Sequence, residues 1–202
     1  MPLSENSTVK RALPLLQERL DDYGYQHSLS AAQTAFDLAF LYNVNSDDAY
    51  LATLLHDWDR GQPWEYLLEA AQHIGIEVNA EIEAAPFILH AHTGAYQVQK
   101  LFPELPPHII TAIRHHTVGS ENMSDLDKVV YIADMMEPTR VSPGADTMRE
   151  LAGTLPLDQL FVEAYYSTML HLIHNRKVMH PQTTHVWNTL LMASDRHSER
   201  LT

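Results

Sequence analysis

The sequence predicts an all-α fold, and three observations carry that expectation. Apolar residues recur at helical spacing along most of the chain. Alternating apolar and polar runs bounded by hairpin turns are absent. Capping residues, first-turn prolines and closing glycines punctuate the periodic stretches.

The elements follow in order. An N-terminal helix is expected within about residues 1–22. Leu29, Ala32, Phe36, Ala39 and Phe40 mark one face of a helix from about Tyr25 to Tyr42. Ser46 can N-cap the next, with Asp47 and Asp48 at its positive end. That helix carries Tyr50, Leu51, Leu54 and Leu55 and ends near His56-Asp57. Pro63 opens another, which Gly75 closes. A helix from about His90 to Leu101 stops before Pro103, and Pro107 opens one that Gly119 ends. Ser124-Asp125-Leu126-Asp127 reads as a capping box, starting a helix through Val129, Val130 and Ala133 to Pro138. A long helix spans roughly Leu157 to Arg176, and a last one follows Pro181. Residues 195–202 read as a flexible tail, and the whole of 1–202 as a single domain.

Composition removes several function classes. With 45% apolar and 19% charged residues, the 202-residue chain has a globular balance. It has no cysteine, which excludes disulfides, thiol nucleophiles and cysteine-held metals. Thirteen Lys and Arg against 26 Asp and Glu leave a net charge of −13, unsuited to nucleic acid or an anionic membrane. No apolar run approaches the roughly 20 residues that span a bilayer, so a cytoplasmic protein is expected. The seven glycines never take the spacing of a phosphate-binding loop. Thirteen histidines, equal in number to all the Lys and Arg, point instead to metal or acid–base chemistry.

The doublet His56-Asp57 stands at the end of an apolar helix. His27 lies upstream near a helix start, where a histidine is ordinarily a solvated surface group. Asp134 lies downstream on an apolar helix, where a carboxylate is costly unless paired or metal-bound. Two imidazoles and two carboxylates suit a borderline divalent ion better than Mg²⁺.

The order His27, His56-Asp57, Asp134 resembles the H…HD…D signature of the HD-domain phosphohydrolases. The likeness extends through Leu89-His90-Ala91-His92-Thr93-Gly94, Ile113-Arg114-His115-His116-Thr117, the capping box, Asp134-Met135-Met136-Glu137-Pro138 and Arg140-Val141-Ser142-Pro143-Gly144. Together these segments, covering roughly Tyr25 to Asn188, resemble the YqeK family, the symmetrical bis(5′-nucleosyl)-tetraphosphatases with an HD helical bundle.

The resemblance implies metal-dependent cleavage of diadenosine tetraphosphate into two ADP. It implies one divalent ion on His27, His56, Asp57 and Asp134, with iron first and Mn²⁺ or Zn²⁺ as alternatives. His90, His116 and Thr117 match phosphate contacts, and Arg60, Gly61, Gln62 and Pro63 match a loop lining the nucleotide site. Arg140 matches another contact, and His174, Asn175, Arg176, Lys177, Val178 and Met179 a segment near base and ribose. Asp57, Arg60, His90 and His116 are then the groups expected at the reacting atoms. The partners implied are the dinucleoside polyphosphate and its ADP product, without nucleic acid or membrane; a homodimer stays open. Other readings are an HD phosphohydrolase of nucleoside monophosphates or cyclic dinucleotides, and a nucleotide-binding regulator without turnover.

Two residues depart from the family pattern. Gly24 stands where the family usually has arginine, and Arg60 where it has lysine. His92 and His115 read as supporting or surface groups, with a second metal as the sharper alternative. His171 and His174, three apart, read as solvated or nucleotide-facing, and Trp58 and Trp64 as core or lid packing.

Overall fold

The computed structural model describes residues 6–198, and side chains as far as residue 193. Among the described residues eleven α-helices follow one another: α1 Ser7–Arg19, α2 Asp22–Leu41, α3 Ser46–Leu55, α4 Trp64–His73, α5 Ala80–Ala84, α6 His90–Leu101, α7 Pro107–His115, α8 Asp125–Met136, α9 Pro143–Leu151, α10 Leu157–His174 and α11 Pro181–Ser198. A 3-10 turn, Pro86–Leu89, enters α6 directly, and no strand occurs among the described residues.

Helix α8 is the axis of the bundle. Leu126, Val129, Val130, Tyr131, Ile132 and Ala133 are all buried, so apolar side chains meet neighbours on almost every face. Helices α2, α3, α7, α9 and α10 pack around it. Ala31, Ala35 and Ala39, spaced one helical turn apart, keep α2 thin where it meets its neighbours. That close approach lets His27 on α2, His56 beyond α3 and Asp134 on α8 meet. A smaller apolar cluster joins Leu67 and Ala71 of α4 to Ile82 of α5 and Leu89 of the turn.

Most start and stop signals act as expected. The Ser124 side chain accepts from Asp127 N–H while the Asp127 carboxylate accepts from Ser124 N–H, closing the capping box. Gly75 and Gly119 adopt left-handed φ of 82° and 73°. At Gly119 a Cβ would also stand 3.2 Å from the Tyr165 ring. Tyr165 is fully buried, and its hydroxyl donates to Val118 O at 2.8 Å and Thr183 O at 3.2 Å, tying α10 to two loops. Tyr165→Phe leaves both carbonyls without that donor. It is expected to lower unfolding free energy by about 1–3 kcal/mol in denaturant titration.

Several boundaries differ from expectation. Asn45, not Ser46, caps α3, because its side chain accepts from Asp47 and Asp48 N–H. Helix α10 ends at His174 rather than Arg176, because Arg176 turns left-handed at φ 52° and Lys177 N–H closes back on Leu172 O. Helix α9, which the periodicity did not announce, is started by the Ser142 side chain and Pro143. Helix α11 runs to Ser198, so residues 195–198 of the expected tail are helical; 199–202 lie outside the described residues, as do 1–5 of the N-terminal segment. No helix among the described residues is long and apolar enough to cross a membrane.

Candidate active site

Four predicted ligands converge. Asp134 Oδ1 lies 3.0 Å from His27 Nε2 and 3.7 Å from His56 Nε2. Asp57 Oδ2 lies 3.6 Å from His27 Nε2 and 3.4 Å from His56 Nε2. Donors about 2.1 Å from one ion stand roughly 3.0–3.4 Å apart, so these edges are close to a coordination polyhedron. His27 Nε2, His56 Nε2 and Asp57 Oδ2 are buried without hydrogen-bond partners, which is costly unless a cation takes their lone pairs. The donor set therefore fits a divalent metal ion.

Backbone and carboxylate contacts orient the rings. His56 Nδ1–H donates to Thr53 O at 2.5 Å, and His27 Nδ1–H to Glu137 Oε1 at 3.0 Å. Each bond leaves Nε2 with the lone pair turned inward. Glu137 is wholly buried and also accepts from Thr139 N at 2.8 Å and from the Thr139 hydroxyl. Burial alone would raise its pKa, but those hydrogen bonds, with others from Ser30 and His27, bring it below the ordinary glutamate range. Glu137→Gln places an amide among groups that donate, and removes the charge behind His27. It is expected to weaken metal affinity at least about tenfold in a competitive chelator titration.

A second group shares Asp57. Its Oδ1 lies 3.1 Å from His90 Nε2 and 3.5 Å from His116 Nε2, and those two nitrogens are 3.0 Å apart. Both rings donate Nδ1–H to the carbonyl three residues back, Phe87 for His90 and Ile113 for His116. Two inward lone pairs that close require a proton or a cation between them. Burial holds His116 down to about 4, with the charge of His56 and His90 adding to it against the Asp57 hydrogen bond. The reading of His92 and His115 as supporting or surface groups, rather than as holders of a second metal, agrees with the donor groups among the described residues, which are His27-His56-Asp57 and Asp57-His90-His116. His115 instead donates to Asp127, the capping-box carboxylate.

A cleft of about 850 Å³ opens over this centre, lined by Arg60, His116, Thr117, Asp134, Arg140, His171, His174 and Asn175 among others. His171 and His174 thus face the cleft. Arg140 donates to Asp134 Oδ1 at 2.7 Å, and half-exposed Arg60 stands 3.5 Å from Asp57 Oδ1. The two arginines counter local carboxylates and border the opening.

Other predicted residues lie elsewhere. His90 is buried behind Asp57 rather than on the cleft wall. Gly61, Gln62 and Pro63 continue away from Arg60 into α4 and are not cleft-lining. Arg176, Lys177 and Val178 are exposed beyond the left-handed turn, while Met179 packs on the core. Trp58 is core and Trp64 exposed. Gly24 N–H donates to Asp21 Oδ1, and its neighbour Tyr23 borders the cleft. Sequence reasoning missed Glu137 as a partner of His27. The available signal was a glutamate three residues after Asp134 and just before a helix-ending proline.

The HD domain family matches residues 24–139. A Bacillus subtilis protein named symmetrical bis(5′-nucleosyl)-tetraphosphatase is 31% identical over 185 residues, 92% of this chain and 98% of its own. A Halalkalibacterium halodurans protein of the same name is 31% identical over 186 residues, 90% and 96% of the two chains. A crystal structure from Clostridium acetobutylicum, titled as an HD superfamily hydrolase involved in NAD metabolism, superposes with a TM-score of 0.85. It has 30% identity and covers 91% of this chain and 97% of its own. The chain belongs to the HD-domain family, in its branch of symmetrical bis(5′-nucleosyl)-tetraphosphatases.

Proposed function

We propose that the protein hydrolyses diadenosine tetraphosphate at its central bridge, yielding two ADP, on a divalent metal centre that is iron in the native state. The observation that carries the reading is the buried, unpartnered donor set of His27, His56 and Asp57 at the foot of an arginine-bordered cleft. The near full-length relatives bearing the tetraphosphatase name support the substrate. The cytoplasm, where nucleotides are held, is the compartment this reading implies.

When bound, the metal supplies activation of water and polarisation of a phosphoryl oxygen. The chain's own residues do the rest. Arg60 and Arg140 offer guanidinium forks to phosphate oxygens, local positive charge against an overall −13. To meet phosphate, each must share or leave its carboxylate, Asp57 or Asp134. His116 and Thr117 both line the cleft, and the Thr117 hydroxyl is a donor that can turn to a phosphate oxygen. Thr117 Oγ1 lies 3.0 Å from His116 Nε2, linking the two. His174 and Asn175 also line the cleft and suit a ribose or base.

In the reaction one P–O bond of the central bridge breaks. The water oxygen ends on the terminal phosphate of one ADP, and the bridging oxygen stays with the other. Hydrolysis in ¹⁸O-water, read by chromatography and mass spectrometry, is expected to give ADP alone with one label per pair of products. ATP plus AMP as main products would overturn the symmetrical cleavage. Nucleoside plus phosphate from monophosphates, with the tetraphosphate untouched, would favour a different HD phosphohydrolase.

A further inference from the structure

The segment from His56 to Gln62 carries Asp57 and Arg60, yet it has no helical ladder of its own. Its backbone bonds are tight turns: Trp58 N–H to Leu55 O at 3.2 Å, Arg60 N–H to Asp57 O at 3.0 Å and Gln62 N–H to Asp59 O at 3.1 Å. Such turns hold less firmly than a continuing helix. Yet Asp57 must present its two carboxylate oxygens to two groups of imidazoles within a few tenths of an ångström.

Support comes from Arg19, the last residue of α1, which precedes the stretch matched by the HD family. Its Nε–H donates to Trp58 O at 2.7 Å, and Nη2 donates to Asp59 Oδ1. The guanidinium carbon lies 5.5 Å from the centre of the Trp58 ring. Nη2 also reaches the Tyr66 hydroxyl at 3.4 Å, and that oxygen accepts from Gln97 at 3.3 Å. Arg19 therefore joins α1, the turn, α4 and α6. Asp59 is wholly buried, and Arg19 is the cation beside it. Helix α6 closes on the same two residues. A Cβ on Gly94 would stand 3.4 Å from both Asp59 N and Trp58 Cβ.

We propose that Arg19 is a positioning residue for the metal centre. By holding Trp58 and Asp59, it sets where Asp57 and Arg60 reach on either side of them. The inference rests on the reading of His27, His56, Asp57 and Asp134 as metal ligands. Two physical effects act together. The fork fixes a carbonyl and a carboxylate on adjacent residues, which a single point charge cannot do. The positive charge also balances a buried anion two residues from Asp57.

The test uses the full chain, stripped of metal and titrated with Mn²⁺ by electron paramagnetic resonance. Titrations run well below each variant's melting temperature, with turnover measured in parallel. Arg19→Gln is expected to weaken Mn²⁺ affinity about tenfold or more, the scale seen for groups that orient metal ligands. Arg19→Lys keeps the charge at Asp59 but loses the fork to Trp58 O, and is expected to fall between. If Arg19→Gln does not fold, Arg19→Lys decides alone. Affinity in the folded variant within twofold of the unsubstituted chain, even with a lowered melting temperature, would show a purely structural role and overturn the proposal. Failure of the unsubstituted chain to bind Mn²⁺ would instead overturn the metal reading, and this inference with it.

Discussion

Asp57→Asn is expected to strip the protein of its divalent metal and to lower tetraphosphate turnover by more than about a hundredfold, with the helical circular dichroism retained. The bound comes from comparison with milder changes. Altering a group that merely orients a ligand costs about 10- to 100-fold in affinity or activity, and this substitution removes a ligand. Asp57 offers Oδ2 to His27 and His56, and Oδ1 to His90 and His116. An asparagine fills the same volume but carries no charge. One of its two positions becomes an N–H₂ that cannot ligate. The loss therefore strikes both donor groups at once. Metal content by atomic emission and product formation by chromatography check it. A variant with a full metal complement and normal turnover would remove Asp57 from the centre.

The second large effect is a pH dependence of metal affinity. Burial alone pushes the His56 imidazole down. The Asp57 charge 3.4 Å away and the Asp134 charge 3.7 Å away outweigh it and raise the ring to about 10. The metal-free ring is thus protonated at neutral pH, standing between two carboxylates as a substitute cation. Burial would raise those carboxylates too. His56 and its neighbouring imidazoles instead hold Asp57 and Asp134 well below the ordinary value of 3.8. A metal ion must expel the His56 proton, so affinity should fall about tenfold per pH unit on acidification, or roughly a hundredfold from pH 8 to pH 6. Stability without metal runs the other way. The raised His56 contributes fully below its ordinary 6.5 and loses that contribution as pH rises through about 10. The lowered aspartates contribute above 3.8 and lose it only in strong acid. Thermal stabilisation by added Mn²⁺ should therefore grow with pH. An Mn²⁺ affinity that stays flat between pH 6 and pH 8 would contradict the protonated ring.

What was legible in the sequence follows from range. The capping box at Ser124 and the closing glycines act through neighbours a few residues away, so local pattern sufficed. The four expected ligands were legible only as a conjunction, the ordered His27, His56-Asp57 and Asp134 that resembles the HD signature, since the doublet alone is a weak signal and each of the others has an ordinary structural reading. Their distances were not readable, since three elements bring them together. Glu137 behind His27 spans 110 residues, and Arg19 on Asp59 spans 40. A lone glutamate or arginine carries no periodic signature. The course of residues 176–178 was not legible, because one left-handed residue, Arg176, turns the chain just past the end of α10.

The two apolar clusters give the molecule unequal resistance to opening. The main one runs from Val9 on α1 to Val186 on α11 and includes α8. The smaller rests on four buried residues, Leu67, Ala71, Ile82 and Leu89. A region with so few buried contacts opens at lower free energy than the rest. Amide hydrogens there should exchange sooner than those of α2 or α8. The 3-10 turn in that region supplies the Phe87 carbonyl that holds His90 Nδ1–H. His116 is held by the Ile113 carbonyl in the main cluster, so of the histidines around Asp57 it is His90 that takes its anchor from the faster-exchanging flank. Local opening there is expected to loosen the His90 ring before those of His27 and His56.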